Sequence, residues 1–208
     1  MNYSEIIALS LGDTDRESDA KLLTLIDSKL RLVEARINRF LLIQDQLLKT
    51  TITMDAATEF YGPPLQYSAI KNIFINPISA PTNRTTLQYL APEQINNAIQ
   101  NNRAAFNEYY SIVGNQVQVY PLRDNTYELH LWYFANVTPL TSIDSTNWCS
   151  LKNPDCYVSG LCAEICAYAR DADGFTFWNG RFEASLESID LQDWSVSWSG
   201  TPLVQRVG

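Results

Sequence analysis

The sequence predicts an α+β protein, in which an antiparallel bundle of N- and C-terminal helices carries an inserted, small antiparallel β domain. Three observations predict this class. Apolar residues recur at steps of three and four near both ends of the chain, as in amphipathic helices. Between these regions, β-branched and aromatic residues alternate with polar ones, and Gly and Pro interrupt the runs. Each helical end has an apolar face that needs a partner, and the two ends most simply pack on each other.

The length of the chain suits this arrangement. Its 208 residues are enough for one domain with a second domain inserted into it. We predict N-terminal helices of the bundle over 1–46 and an inserted β-rich domain with one short helix over 47–144. The C-terminal helices of the bundle are predicted over 145–192, and a C-terminal tail over 193–208.

The N-terminal segment has the clearest helical pattern. A stripe of apolar residues predicts an amphipathic helix that begins after Ser18, which is a suitable N-cap. A shorter helix from Tyr3 to Leu11 precedes it. The members of the stripe are Leu22, Ile26, Leu30, Val33, Ile37 and Phe40.

The middle of the chain has the period of β-strands. The stretch GNQVQVYPLRDNTYELHLWYF, from Gly114 to Phe134, predicts a two-stranded ribbon with its turn at LRDN. In the second strand, Leu131 lies on one face, and Trp132 and Phe134 lie on the other. Both faces carry bulky side chains, so we expect each face to be covered. Pro92 is expected to open a short helix before the ribbon.

Helical spacing returns after residue 145. Asn153 as N-cap and Pro154 at the first helical position predict the start of a helix. The small residues that follow, among them Gly160, permit close helix packing. A last helix is predicted by a second apolar stripe, which consists of Phe175, Trp178, Phe182, Leu186 and Ile189.

The C-terminal tail reads as a strand, because its large apolar residues alternate with polar ones. A terminal strand with two tryptophans needs cover, so the tail either folds back on its own sheet or docks on another chain by strand addition. We therefore predict that the tail and the bulky outer face of the ribbon form interfaces with other subunits or partners. The candidate interface residues are Trp194, Val196, Trp198, Leu203, Val204, Trp132 and Phe134.

Charge and apolar content argue against several classes of function. The net charge is −8 and there is no run of Lys or Arg, which opposes a duplex-binding or membrane-surface role. No segment approaches the roughly 18 apolar residues of a membrane-spanning helix. The N-terminus lacks a basic region and a long apolar region, so we expect a protein that is made and used without secretion.

The cysteines do not form a recognisable metal or redox motif. No Cys-x-x-Cys pair occurs, and no second ligand cluster completes a zinc site. We interpret the thiols as small, reduced, buried hydrophobic side chains, with a disulfide or a metal site as the alternatives. No metal site and no cofactor site are predicted. The four cysteines are Cys149, Cys156, Cys162 and Cys166.

Two other functions remain as alternatives to a role in binding other subunits or partners. A hydrolase would use Cys149 as nucleophile and His130, the single histidine, as base, but nothing in the sequence orients this pair, and we predict no catalytic residues. A ligand- or carbohydrate-binding β module on a virion or cell surface would use Trp132, Tyr133 and Trp148 as a stacking platform.

Several short stretches between Leu87 and Ile189 occur in a characteristic order. They are YSIVGNQVQVYP from Tyr110, LWYF from Leu131, PLT from Pro139, the pair Asn147-Trp148, and PDCY from Pro154. In order and spacing they resemble the head–tail adaptor, or connector, proteins of tailed bacteriophages. The cysteines and the Trp-rich tail depart from the family pattern.

The resemblance implies a structural virion protein rather than an enzyme. Such adaptors form a ring, usually dodecameric, under the portal, and the ring joins the capsid vertex to the neck or tail. The implied partners are other copies of the chain, the portal protein and the next neck or tail protein, with DNA only as passing cargo and no membrane. The implied location is the head–tail interface of the virion, after assembly in the host cytoplasm.

Overall fold

The computed structural model describes residues 1–62, 64, 66–101 and 108–197, with side chains described as far as Trp194 in the last helix. These residues form six α-helices and eight β-strands, which confirms the predicted α+β class. In chain order the elements are α1 (Tyr3–Asp13), α2 (Ala20–Phe40), β1 (Leu47–Thr53), β2 (Phe60–Tyr61), β3 (Tyr67–Pro77), β4 (Thr85–Thr86), β5 (Gln88–Tyr89), α3 (Pro92–Gln100), β6 (Tyr109–Val113), β7 (Gln116–Tyr120), β8 (Tyr127–Ala135), α4 (Trp148–Lys152), α5 (Pro154–Ala169) and α6 (Ala172–Ser197).

The chain divides into two compact units. Met1–Gln46 together with the chain from Asn136 onward forms a helical unit. Leu47–Ala135 forms a unit that contains all eight described strands and α3, which we call the β unit.

The first two helices begin at side-chain caps. Asn2 Oδ1 accepts a hydrogen bond from the Glu5 N–H at 2.9 Å, and the Glu5 carboxylate accepts one from the Asn2 N–H at 2.9 Å, so α1 has a capping box. The N-cap of α2 is Asp19 and not Ser18 as predicted. Its carboxylate accepts from the N–H groups of Lys21 and Leu22, and a negative charge is favoured at a helix N-terminus.

The core of the helical unit is built around α5, which packs against α1, α2 and α6. The stripe predicted on α2 is buried from Leu22 to Ile37, and only Phe40, the last residue of the helix, is exposed. Small residues let the helices approach closely: a Cβ at Gly160 would lie 2.7 Å from Val33 Cγ1 and 3.0 Å from Phe182 Cε2. The cysteines are free thiols and are buried, as predicted.

The β unit consists of two four-stranded sheets that share one hydrophobic core. The strand order is β1-β8-β3-β4 in the first sheet and β2-β7-β6-β5 in the second. All pairings are antiparallel except β5 with β6, which is parallel. The shared core contains Met54, Tyr61, Ile73, Ile75, Leu87, Val117, Val119, Leu129, Leu131, Tyr133 and Ala135.

The predicted ribbon is wrong in its pairing, although both of its strands exist. β7 pairs with β6 and β2, whereas β8 lies between β1 and β3 in the other sheet. The local hairpin partner of β7 is the strand before it, because a tight turn at Gly114 (φ 60°) and Asn115 brings Val113 opposite Gln116. The link between β7 and β8 instead carries the chain from one sheet to the other.

The chain after β8 is attached to α2. The Val137 N–H donates to Asn38 Oδ1 at 2.7 Å, and the Leu140 N–H donates to Glu34 Oε1 at 2.6 Å. The side chains of Val137 and Leu140 are buried in the core of the helical unit. Residues 137–140, which fall within the β-rich domain predicted over 47–144, are thus bound to α2 of the helical unit.

A buried polar network extends from Glu34 across the helical unit. The Tyr157 hydroxyl lies close to the Glu34 carboxyl and accepts a hydrogen bond from Asn147 Nδ2 at 2.7 Å. Asn147 Nδ2 also donates to the Thr138 carbonyl at 2.8 Å. Burial raises the pKa of the Glu34 carboxyl, and the bond from the Leu140 N–H and the proximity of the Tyr157 hydroxyl oppose this shift. The network therefore joins α2, α5 and the segment that follows β8 through satisfied buried groups.

The predicted terminal strand is not found up to Ser197. The last helix runs from Ala172 to Ser197, so Trp194 and Val196 have helical backbone. An alternation over so few residues does not distinguish the two-residue period of a strand from the 3.6-residue period of a helix. The positions of Trp198, Leu203 and Val204 lie outside the described residues.

Candidate partner interface

The outer face of the first sheet carries the two interface residues predicted on the ribbon. Along β8, Leu131 and Tyr133 point into the core, while Trp132 and Phe134 lie on the opposite face. Trp132 is 37% exposed and Phe134 is partly buried. We call this outer surface the Trp132 face, and it comprises Lys49, Lys71, Phe74, Arg84, His130, Trp132 and Phe134.

Strand pairing brings basic residues to the Trp132 face. Lys49 on β1 lies opposite Trp132. Lys71 occupies a bulge in β3, with Nζ 5.6 Å from the centre of the Phe134 ring. The Arg84 guanidinium lies 5.1 Å from the centre of the Phe74 ring. The face therefore combines exposed cations with aromatic rings, in a chain whose net charge is −8.

His130 is a packed residue of this face. Its ring stacks on Phe74, with centroids 4.8 Å apart, and its Nδ1 lies 3.0 Å from Thr51 Oγ1. Burial lowers the pKa of His130, and the positive charge of Lys49 lowers it further, while Glu128 opposes the shift. His130 is therefore neutral at pH 7 and fills the sheet surface beside Trp132.

The cysteine–histidine hydrolase reading finds no support in the environments of its two residues. His130 lies in the β unit and Cys149 in the helical unit. A hydrogen bond with Cys156, together with burial, raises the pKa of the Cys149 thiol far above its ordinary value. A buried thiol that stays protonated is a poor nucleophile.

The predicted stacking platform is also not formed. Tyr133 faces the core and is buried, so it cannot share a surface with its neighbour Trp132. Trp148 lies on α4 and packs against the core of the helical unit. Of the three aromatic residues in this reading, only Trp132 is exposed.

The second candidate surface is the outward side of the last turns of α6. Leu191 and Trp194 are both 67% exposed there. Residues three, four, seven and eight positions apart share one face of a helix, and acidic side chains precede the two apolar ones on this face. We call this surface the α6 stripe, and it comprises Glu183, Glu187, Asp190, Leu191 and Trp194.

The structure thus separates the predicted interface residues into two groups. Trp132 and Phe134 lie together in the β unit, and Trp194 lies on the helical unit. For Val196 only the backbone is described. The sequence reading missed Lys49, which alternation along β1 could have assigned to the face of the sheet.

The described residues also bear on metal binding and on membrane spanning. Among the described residues, no group of three or more His, Cys, Asp or Glu side chains is arranged to hold a metal ion. No helix in the described ranges is both long enough and apolar enough to span a membrane.

Each of the two units thus carries one of the two exposed aromatic surfaces. The family model of the SU10 adaptor protein matches residues 1–206, and the chain belongs to this family of phage head–tail adaptors. A search of curated proteins found no match. The resemblance seen in the sequence is confirmed. Membership makes the protein a structural component of the virion and implies association with portal and tail proteins.

Proposed function

We propose that the protein assembles as a ring, with twelve copies as the expected number, under the portal of a tailed phage. The ring joins the capsid vertex to the next neck or tail protein, and DNA passes through its centre. The observation that carries this proposal is the family match over residues 1–206.

Two exposed surfaces support assembly into a ring. A closed ring uses a head-to-tail interface, in which two different surfaces of the same chain meet. The Trp132 face lies on a sheet and carries basic residues, the α6 stripe lies on a helix and carries acidic residues, and each exposes a tryptophan to solvent. Exposed aromatic side chains of this kind are enriched in protein interfaces.

We further propose distinct roles for the parts of the chain. The helices of the N- and C-terminal segments form a bundle that builds the ring body, with the β domain inserted into it. The segment after Ser197, with Trp198, Leu203 and Val204, binds the portal or an adjacent subunit. A net charge of −8 would let the ring surround DNA without holding it.

Native mass spectrometry and electron microscopy of the full chain, alone and with its portal protein, test the proposal. The expected result is a closed ring of about twelve copies, by analogy with the family, seated on the portal. A chain that stays monomeric in both preparations would refute the ring.

A truncated chain tests the role of the C-terminal segment. Removal of residues 198–208 leaves every described helix intact, so the far-ultraviolet circular dichroism of the helical unit should be unchanged. We expect this variant to lose binding to the portal or to the ring. Normal incorporation of the truncated chain into particles would contradict the role assigned to the segment.

A further inference from the structure

The charge of the chain is divided unequally between its two units. By sequence, the helical unit carries 17 acidic and 10 basic residues, and the β unit carries 6 and 5, which together make the 23 and 15 of the whole chain. Almost all of the net negative charge therefore lies on the helical unit. The β unit is nearly neutral overall, although it collects basic side chains on one face.

The basic side chains of the Trp132 face lack acidic partners. Lys49, Lys71 and Arg84 are exposed, and none of them forms an ion pair with a carboxylate among the described residues. Glu128 lies on the same face of β8, and its carboxylate is 3.4 Å from His130 Nε2, so the face carries one carboxylate beside three cations. The face is therefore a positively charged surface with an exposed indole at its centre.

The α6 stripe has the opposite charge. Within the stripe, Glu183 forms an ion pair with Arg36 at 3.8 Å. Glu187 and Asp190 are exposed and form no ion pair with a basic residue among the described residues. No basic residue lies in the last turn of α6. A cationic surface placed against the stripe would pair with these carboxylates and stabilise the contact.

We propose that the α6 stripe of one copy docks on the Trp132 face of the next copy. Glu187 and Asp190 lie against Lys49 and Lys71, and Leu191 and Trp194 cover Trp132. The inference rests on the proposed ring and specifies the two surfaces that form its interface. It commits to a second copy because the two surfaces are complementary in charge, both expose large apolar side chains, and a ring needs two unlike surfaces on each chain.

Charge reversal on either surface tests the pairing. The first variant is Lys49→Glu with Lys71→Glu, and the second is Glu187→Lys with Asp190→Lys. Each places like charges across the interface, so we expect self-association at least about 100-fold weaker than in the natural sequence. The four side chains are exposed, so the far-ultraviolet circular dichroism of both variants should match that of the natural chain.

Mixing the two variants gives a sharper result. The acidic face of the first variant can pair with the basic stripe of the second, and the natural basic face of the second can pair with the natural acidic stripe of the first. We therefore expect an equimolar mixture to form rings in which the two variants alternate. Native mass spectrometry should show equal numbers of both chains in each ring.

The control is Lys21→Glu, which reverses an exposed charge on α2, outside both surfaces, and should leave assembly unchanged.

The possible outcomes distinguish a failure of the proposed ring from a failure of the proposed interface. A natural chain that forms no ring, alone or on its portal, refutes the ring and the interface together. A natural chain that forms rings while either variant assembles normally overturns the interface and leaves the ring standing.

Two other outcomes also decide against the interface. If both variants fail to assemble and their mixture fails as well, the two surfaces do not face each other between copies. If the first variant self-associates normally but no longer binds DNA or the portal, the Trp132 face serves that other partner.

Discussion

Gly160→Ala is a direct test of how the helical unit is packed. Gly160 is buried in α5. A Cβ at this position would lie 2.7 Å from Val33 Cγ1 and 3.0 Å from Phe182 Cε2. Carbon atoms normally approach to about 3.5–4.0 Å, so the side chains of Val33 and Phe182, or the helices that carry them, must shift to accept one added methyl group.

Two opposing effects set the magnitude. Replacing Gly by Ala inside a helix stabilises it by about 0.8–1 kcal/mol. Overpacking a tightly packed core costs about 1–3 kcal/mol, and contact with two neighbouring helices points to the upper part of that range. The free energy of unfolding should therefore fall by about 1–2 kcal/mol in Gly160→Ala, with the steric term larger than the propensity term.

Gly180→Ala is the matched control. Gly180 lies in α6, is exposed, and a Cβ there meets nothing within 4 Å. The added methyl group causes no steric strain at this position, so the higher helix propensity of Ala should raise the free energy of unfolding by up to about 1 kcal/mol. Urea unfolding followed by far-ultraviolet circular dichroism measures both variants. Equal stabilisation by the two substitutions would refute the close approach of the three helices.

A second substitution identifies the neighbour that causes the strain. Val33→Ala removes the Cγ1 atom that lies closest to the added methyl group. On its own it leaves a cavity and lowers stability. Combined with Gly160→Ala it should cost less than the sum of the two single changes, by about 0.5–2 kcal/mol. Strict additivity would show that Val33 is not the limiting contact.

Further predictions concern buried groups of the helical unit. Folding raises the pKa of Glu34 above its ordinary 4.5, so between these two pKa values the native state holds a proton that the unfolded state releases. The free energy of unfolding of the natural chain, relative to that of Glu34→Gln, should therefore fall as pH rises from about 4.5 to the raised pKa. A difference in urea unfolding that does not change with pH would contradict this. Tyr157→Phe removes a hydroxyl bonded to Asn147 and should lower the free energy of unfolding by about 1–3 kcal/mol, and a change below the error of a urea titration would show that the network is not closed. Leu161→Asp buries a carboxylate at a fully buried position and should abolish the folded far-ultraviolet spectrum, whereas a soluble helical variant would show that this face is exposed. Burial raises the pKa of the Cys162 thiol to about 12, so it should resist iodoacetamide at pH 8 until urea is added, and rapid labelling of the native chain would show that the site is open.

The helices were predictable because their signals are local. The stripe from Leu22 to Ile37 repeats with the helical period over several turns, and Asn153 with Pro154 marks the start of α5. The cap of α2 was wrong by one position, since Ser18 and Asp19 are both suitable residues and only the backbone geometry selects between them.

Strand partners could not be read from the same kind of pattern. Alternation identified β7 and β8, but a period of two says which residues share a face and nothing about the neighbouring strand. The basic residues of the Trp132 face show the consequence. Lys49, Lys71 and Arg84 are far apart in sequence, and they share one face only because β1, β3 and β4 lie in the same sheet as β8. The aromatic centre of the face was predictable, and its charge was not.

The pairing of β1 with β8, the first and last strands of the β unit, has an energetic consequence for the chain that enters and leaves this unit. Closing a loop of about 90 residues as a flexible segment costs roughly (3/2)RT ln n, or about 4 kcal/mol, beyond a constant term. In the β unit, the first residue, Leu47, pairs with Phe134, next to the last. This antiparallel pairing holds the two ends of the segment together within the β unit itself. The helical unit therefore needs to bind only the segment that follows β8, and it does so through hydrogen bonds to Asn38 and Glu34 on α2. A segment whose first and last strands pair with each other does not require the helical unit to hold its two ends together.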